Sequence, residues 1–112
     1  HIELSGTGAK TRDFLDVDDV AALTVFLANT PFATPLVVNG GTGVATRVDA
    51  FAEMLADSLG AQVRITFNGQ ARAGDPRHYQ ADITRLRALG FTPRTDLKAG
   101  LKRYAVWLKA EV

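Results

Sequence analysis

Apolar residues recur at helical spacing between residues 18 and 28, where Val20, Leu23 and Leu27 form one stripe. Ala21, Ala22, Val25 and Phe26 fill most of the remaining faces of the same segment. A helix apolar nearly all round is normally buried on several sides, so this one predicts a partner surface that a short chain cannot supply. Asp18 or Asp19 is placed to cap it, and Pro31 and Pro35 lie beyond its end. Leu36-Val37-Val38 is a short continuous apolar run, the pattern of a fully buried strand. Thr46 and Asp49 have capping-box spacing ahead of a second helix, with Val48, Phe51, Leu55 and Leu59 on one face and Gly60 as its stop. Gln62 to Phe67 alternates in the manner of a half-buried strand. Asp82 caps a short helix that ends at Leu89-Gly90, and Asp96 caps a final helix whose core face carries Leu97, Leu101, Tyr104 and Leu108, with Trp107 beside it. Ahead of all these, Ser5-Gly6-Thr7-Gly8 reads as a turn, and Phe14, Leu15 and Val17 as a short extended segment. The pattern predicts a mixed α/β fold over residues 1–112, rich in helix with a few short strands.

A length of 112 residues allows one domain and one modest core. Hydrophobic residues at 46% and charged residues at 22% are ordinary for a globular chain and argue against disorder. The net charge of +1 gives no global field for nucleic acid or an anionic membrane, so any anion must be held by a few placed residues. Without cysteine there is no disulfide, thiolate metal site or cysteine nucleophile, which is compatible with a cytoplasmic setting. No stretch approaches the roughly 18 apolar residues of a membrane span. His1-Ile2-Glu3-Leu4 lacks the pattern of a signal peptide, and a chain starting at His1 is expected to begin inside a larger gene product or after a removed tag.

Three groups of residues could carry chemistry. Gly41-x-Gly43, between an expected strand and a helix, has the setting of a dinucleotide loop, but Thr46 stands where a third glycine or alanine is needed. The next strand ends in Phe67-Asn68 without an acidic residue for a ribose, so a tight turn is the better reading. Arg12 with Arg72 and Arg77 could grip a pyrophosphate through paired hydrogen bonds, Phe14 and Tyr79 could offer flat surfaces, and Asp75 could accept from hydroxyls. Spacing alone favours local ion pairs instead, Arg12 with Asp13 or Asp16 and Arg72 with Asp75, because sequence separation does not show that residues 12 and 72 meet. Asp16, Asp18 and Asp19 suit helix capping better than catalysis, and His1 and His78 alone make no metal site.

An ordered series of short motifs resembles the extended short-chain dehydrogenase/reductase family, specifically its NAD-dependent nucleotide-sugar epimerases and dehydratases. It runs from Gly6-x-Gly8-x-x-x-Arg12-Asp13-Phe14-Leu15-x-Val17-x-Asp19-Val20 through Val38-Asn39-Gly40-Gly41 and Arg72-x-Gly74-Asp75. Ala81-Asp82, Leu89-Gly90-Phe91-x-Pro93 and Leu97-x-x-Gly100-Leu101 before Trp107 complete it. Each motif is weak alone; their order and spacing over nearly the whole chain are specific. The resemblance implies the C-terminal, substrate-binding part of an extended Rossmann-type epimerase. It implies contacts to a nucleotide-sugar diphosphate from Arg12 and Arg72, to the ribose or diphosphate from Asp75, and lining positions for Phe14 and Tyr79. The implied ligand is a UDP- or dTDP-linked sugar.

The departures from that family are as specific. Its members bind NAD through an N-terminal Gly-x-x-Gly-x-x-Gly loop, and this chain has none. They move protons with a Tyr-x-x-x-Lys pair, whereas Tyr79 is followed four residues on by Ile83 and Tyr104 by Leu108. A tyrosine without that lysine and nicotinamide lacks the means of lowering its pKa. The chain is therefore expected to hold no cofactor and to be inactive alone, with NAD bound by the intact family. In that family the C-terminal part interleaves with the nucleotide domain, so Leu36–Val38 and the helix near residues 18–29 are expected to lack their cover and to drive homo-oligomer formation. A stand-alone oligomerisation or interaction module derived from the family is the competing reading.

Overall fold

A computed structural model describes residues 1–70 and 73–112. Strand β1 (Ile2–Leu4) pairs in parallel with β4 (Ile65–Phe67), with Ile2 opposite Ile65 and Leu4 opposite Phe67. Between them the chain passes through β2 (Thr11–Arg12), helix α1 (Val17–Ala28), β3 (Thr46–Arg47) and helix α2 (Val48–Leu59). β2 and β3 form an antiparallel pair. Helices α3 (Thr84–Ala88) and α4 (Leu97–Glu111) follow, and α4 packs along α2. The mixed, helix-rich architecture is the one expected.

Several local expectations are corrected. The N-cap of α1 is Asp16, whose carboxylate accepts from the Asp18 N–H; Asp18 and Asp19 follow inside the first turn. The extended segment stops at Arg12, and Val17 already belongs to α1. Thr46 does not cap α2: it pairs with Arg12 in the β2–β3 ribbon, and the helix starts after Arg47 without a side-chain cap. Residues 36–38 form no strand, because no described segment pairs with them as a neighbouring edge. They are tied instead by side chains, Arg85 donating to the Val37 carbonyl at 2.6 Å and Asn39 to the Asp82 carbonyl at 3.2 Å. Residues 2–4, taken in the sequence only for the absence of a leader, form a strand. Gly60 and Asp96 behave as expected, Gly60 closing α2 with φ 66° and Asp96 accepting from Ala99 N–H at the start of α4.

Little of the chain is buried. Leu23, Ile83 and Leu86 form one small core, packed by Leu27, Ala81 and Phe91. Leu101 and Ala105 of α4 are also buried, while Tyr104 and Trp107, assigned to or beside its core face, are about half exposed. The molecule is a slab of 53 × 38 × 18 Å with a radius of gyration of 16.7 Å. A compact chain of this length would have about 13 Å. Its 8022 Å² of accessible surface exceeds the roughly 6,000 Å² usual for this mass by about 2,000 Å², the scale of a whole protein–protein interface. Exposed large apolar side chains lie on α1, where Val17 is 76% and Val25 63% exposed, on α4 at Val106 and Trp107, and at Val37. Among the described residues no helix is long and apolar enough to cross a membrane, and no group of three or more His, Cys, Asp or Glu could hold a metal ion.

Carboxylates supply much of the cohesion the small core lacks. Asp19, 4% exposed, accepts from the backbone N–H groups of Arg94 and Thr95 at 3.0 and 2.9 Å, fixing the turn before α4 onto α1. Asp16 accepts from Arg103 of α4 at 2.6 Å, and Asp18 pairs with the same guanidinium at 2.9 Å. Burial is the largest influence on the Asp19 carboxyl and by itself would raise its pKa; the N–H groups of Arg94 and Thr95, the Thr95 side chain and Arg103 together outweigh it and hold the group below its ordinary 3.8. A carboxyl depressed in the folded state contributes stability that is complete above its unfolded pKa and is lost as pH falls through the folded value. Resistance to urea is therefore expected to hold level from neutrality to about pH 5 and to fall steeply below about pH 4. Asp19→Asn, which leaves one of two part-buried N–H donors without an acceptor, should lower stability at pH 7 by about 1–3 kcal/mol and flatten the acid limb. Urea midpoints measured across pH for both chains check this.

Candidate functional site

The site grows from β2 and the Lys10 that precedes it, a segment held on both edges. On one side β3 pairs with it and Val48 N–H donates to the Lys10 carbonyl at 2.9 Å. On the other, Thr11 N–H donates to the Arg77 carbonyl and the Tyr79 N–H donates back to the Thr11 carbonyl at 3.0 Å, a single parallel bridge between Thr11 and His78. Gly8 lets this ribbon approach β4 and α2: with φ 75°, a β-carbon there would lie 2.9 Å from the Phe67 ring and 2.8 Å from the Asp49 side chain.

The topology brings Arg12, Asp75 and Tyr79 together. The Arg12 guanidinium donates to the carbonyls of Thr11 at 2.8 Å and Pro76 at 3.1 Å, and to Asp75 Oδ1 at 3.1 Å. Its carbon lies 5.3 Å from the centre of the Tyr79 ring, within cation–π range. Lys10 Nζ meets the other oxygen of Asp75. Arg12 thus pairs with neither Asp13 nor Asp16, the partners that spacing favoured. Arg72, the second expected phosphate contact, lies outside the described residues. Arg77 lends its backbone carbonyl to the ribbon, and His78 Nδ1 lies 3.1 Å from the Thr11 hydroxyl oxygen. Phe14 is placed apart from the Arg12 side chain: it stacks on Phe51 of α2, with ring centres 4.0 Å apart, and lines an apolar cavity of about 330 Å³ with Leu55, Leu101 and Tyr104. Among the described residues, none that lines that cavity is basic.

Beside Arg12 and Tyr79 opens a cleft of about 600 Å³ whose walls include Asp13, Asn39, Gly40, Gln80 and Asp82. Asp13 is the residue that sequence reasoning passed over as a mere ion-pair partner. Its carboxylate accepts from Thr42 N–H at 2.8 Å, the Thr42 hydroxyl at 2.5 Å, Gly43 N–H at 2.9 Å and Ala81 N–H at 3.2 Å. Burial is the largest influence and would raise its pKa, but the bonds from Thr42, Ala81 and Gly43 together bring the group below 3.8. The glycine loop 40–43 therefore directs its N–H groups to an internal carboxylate, not to a pyrophosphate. Gly41 is the residue that permits this clasp, since a β-carbon there would lie 2.4 Å from that of Ala81 and 2.9 Å from Asp13 Oδ2. The available signal was the position of Asp13 between Arg12 and Phe14 in the motif series.

No family model matches the chain. Curated relatives do. It is 36% identical to dTDP-L-rhamnose 4-epimerase of Burkholderia thailandensis, covering 99% of this chain and 31% of that protein. It is 34% identical to GDP-L-fucose synthase of Escherichia coli, covering 91% and 34%. Among solved structures, MoeE5 in complex with UDP-glucuronic acid and NAD superposes with a TM-score of 0.89 at 34% identity, over 99% of this chain and 37% of that one. The UDP-glucose 4-epimerase of Thermotoga maritima with UDP-glucose gives 0.88 at 27% identity, over 99% and 35%. The resemblance read from the motifs is borne out: the chain is a homologue of part of the NAD-dependent nucleotide-sugar epimerases of the short-chain dehydrogenase/reductase family. It spans about a third of the length of the curated relatives it matches.

The clasp makes a definite prediction about packing. Gly41→Ala should cost about 1–3 kcal/mol in denaturant unfolding, because neither Ala81 nor Asp13 can withdraw without breaking other contacts. Ala81→Gly added to the same chain should recover part of that loss, and a double variant no better than Gly41→Ala would disprove the contact.

Proposed function

We propose that this chain is the C-terminal, nucleotide-sugar-binding part of an NAD-dependent epimerase or dehydratase. The observation that carries the reading is that Arg12 meets Asp75 and Tyr79, more than sixty residues further along the chain, with Arg12 and Tyr79 in the wall of a polar cleft. An arginine pinned by two backbone carbonyls is oriented before a ligand arrives, so little side-chain freedom is lost when phosphate binds. In this proposal Arg12 holds the diphosphate together with Arg72, the latter assigned from its motif alone. Asp75 accepts from the ribose hydroxyls and Tyr79 lines the pocket, while Phe14, which stands against Phe51 in the apolar cavity, is assigned from its motif alone. The ligand is a UDP- or dTDP-linked sugar.

The same proposal places the chemistry in an N-terminal, NAD-binding part that this sequence does not contain, in a cytoplasmic enzyme. NAD and UDP-glucuronic acid are both named for the structural neighbour MoeE5. The extra 2,000 Å² or so of surface, the exposed face of α1 and the unpaired run at residues 36–38 support a missing covering layer. The chain by itself is then a binding fragment without catalysis, and its bare apolar face makes it associate with its own copies. The alternative, a stand-alone oligomerisation or interaction module, draws on that face and not on the cleft.

Calorimetric titration with UDP and with dTDP separates the two. Weak binding that Arg12→Ala reduces about tenfold or more is expected for a retained pocket, since charge-assisted hydrogen bonds contribute about 1.5–3 kcal/mol each. No heat from a folded chain would leave the module. Sedimentation at micromolar concentration should show a dimer or larger species, and a clean monomer would end the association claim.

A further inference from the structure

We infer that Lys10 is a positioning residue of the anion corner: it holds Asp75 and offsets its charge, so that Arg12 can face a phosphate. The inference rests on the nucleotide-sugar reading of the cleft and extends it to a residue that reading leaves out.

Lys10 and Arg12 are two apart in an extended ribbon, so both side chains leave on the same face. Their backbone is fixed on both edges, by Val48 on one side and by residues 77–79 on the other. Both cations reach one carboxylate from a distant loop, Lys10 at Asp75 Oδ2 and Arg12 at Oδ1. The Lys10 side chain is only 19% exposed, less than the 27% of Arg12 and the 37% of Asp75. A lysine usually keeps its ammonium in water, so this placement against Asp75 needs a reason.

The reason is electrostatic. A carboxylate on Arg12 competes with a phosphate for the same guanidinium and lowers the positive potential that would attract it. Lys10 draws on the other carboxylate oxygen and adds a charge. Whatever else Asp75 touches, removing Lys10 makes the corner one charge less positive and leaves the carboxylate freer to close on Arg12. The effect must fall on the phosphate-dependent share of affinity and not on the nucleoside. It must also follow charge, not side-chain shape.

The test titrates the chain and its Lys10→Met and Lys10→Arg variants with UDP, uridine and pyrophosphate by calorimetry. Lys10→Met should weaken UDP and pyrophosphate about five- to tenfold, leave uridine unchanged and flatten the salt dependence, while Lys10→Arg restores both. Lys10→Met binding UDP as the unmodified chain does would overturn the role of Lys10 and leave the nucleotide site standing. An equal loss of UDP and uridine, or no rescue by arginine, would reduce Lys10 to packing and overturn it too. Pyrophosphate uptake that depends on Lys10 but gains nothing from uridine would sink the nucleotide reading and keep the anion role. A folded chain that takes up neither UDP nor pyrophosphate overturns both.

Discussion

Three aspartates spaced three apart, Asp13, Asp16 and Asp19, hold distant parts of the chain to one short segment. Asp13 gathers the loop at residues 42–43 and the N–H of Ala81; Asp16 caps α1 and takes Arg103 from α4; Asp19 takes the turn at residues 94–95. A slab with so few buried apolar side chains cannot rely on area removed from water alone. Carboxylates that accept several backbone N–H groups supply direction as well as cohesion, because each works only with its partners in place. The consequence is that Asp13 and Asp19, whose hydrogen-bond donors hold them below the ordinary carboxylate value, tie this segment to its ionised form.

That arrangement explains why the cleft is shaped before any ligand is present. Asp13 follows Arg12 directly, so fixing its carboxylate to the loop and to Ala81 fixes where Arg12 leaves the backbone. Residues 77–79 join the same ribbon edge and deliver Tyr79 and Asp75 to it. The glycine loop, which in a dinucleotide fold would receive an external anion, is closed here by an internal one. Its glycines serve close packing: Gly41 leaves room for Ala81, and a β-carbon at Gly43 would stand 3.1 Å from the Ile83 side chain of the core.

The polar groups of the molecule are thus paired while several of its apolar side chains are exposed. Bonds among Asp13, Asp16, Asp19 and their partners satisfy the interior, and among the described residues no buried side-chain nitrogen or oxygen lacks a partner. Val17, Val25 and Val37, by contrast, stand open to water. A chain about a third as long as its curated relatives, with a surface larger than its mass warrants, fits a role as one layer of a larger body.

By itself the sequence determined the helices, since α1, α2 and α4 follow from periodicity with Asp96 and Gly60 as local signals. It also marked Arg12, Asp75 and Tyr79 through a motif series, and ruled out a Tyr-x-x-x-Lys pair letter by letter. The all-round apolar character of residues 18–28 was legible, and Val20 and Val25 of that helix stand exposed in the fold. Tertiary structure alone decided the rest. Leu36–Val38 has the composition of a buried strand, but a strand exists only where a neighbour offers its edge, and none of the described segments does. The two- and three-residue strands β1, β2 and β3 are too short to leave a period. Arg12 chose Asp75 over the nearer Asp13, because Asp13 was already taken by N–H groups from two other segments. Helix signals lie within a few residues of one another, whereas a carboxylate's partners are set by what the folded chain brings to it.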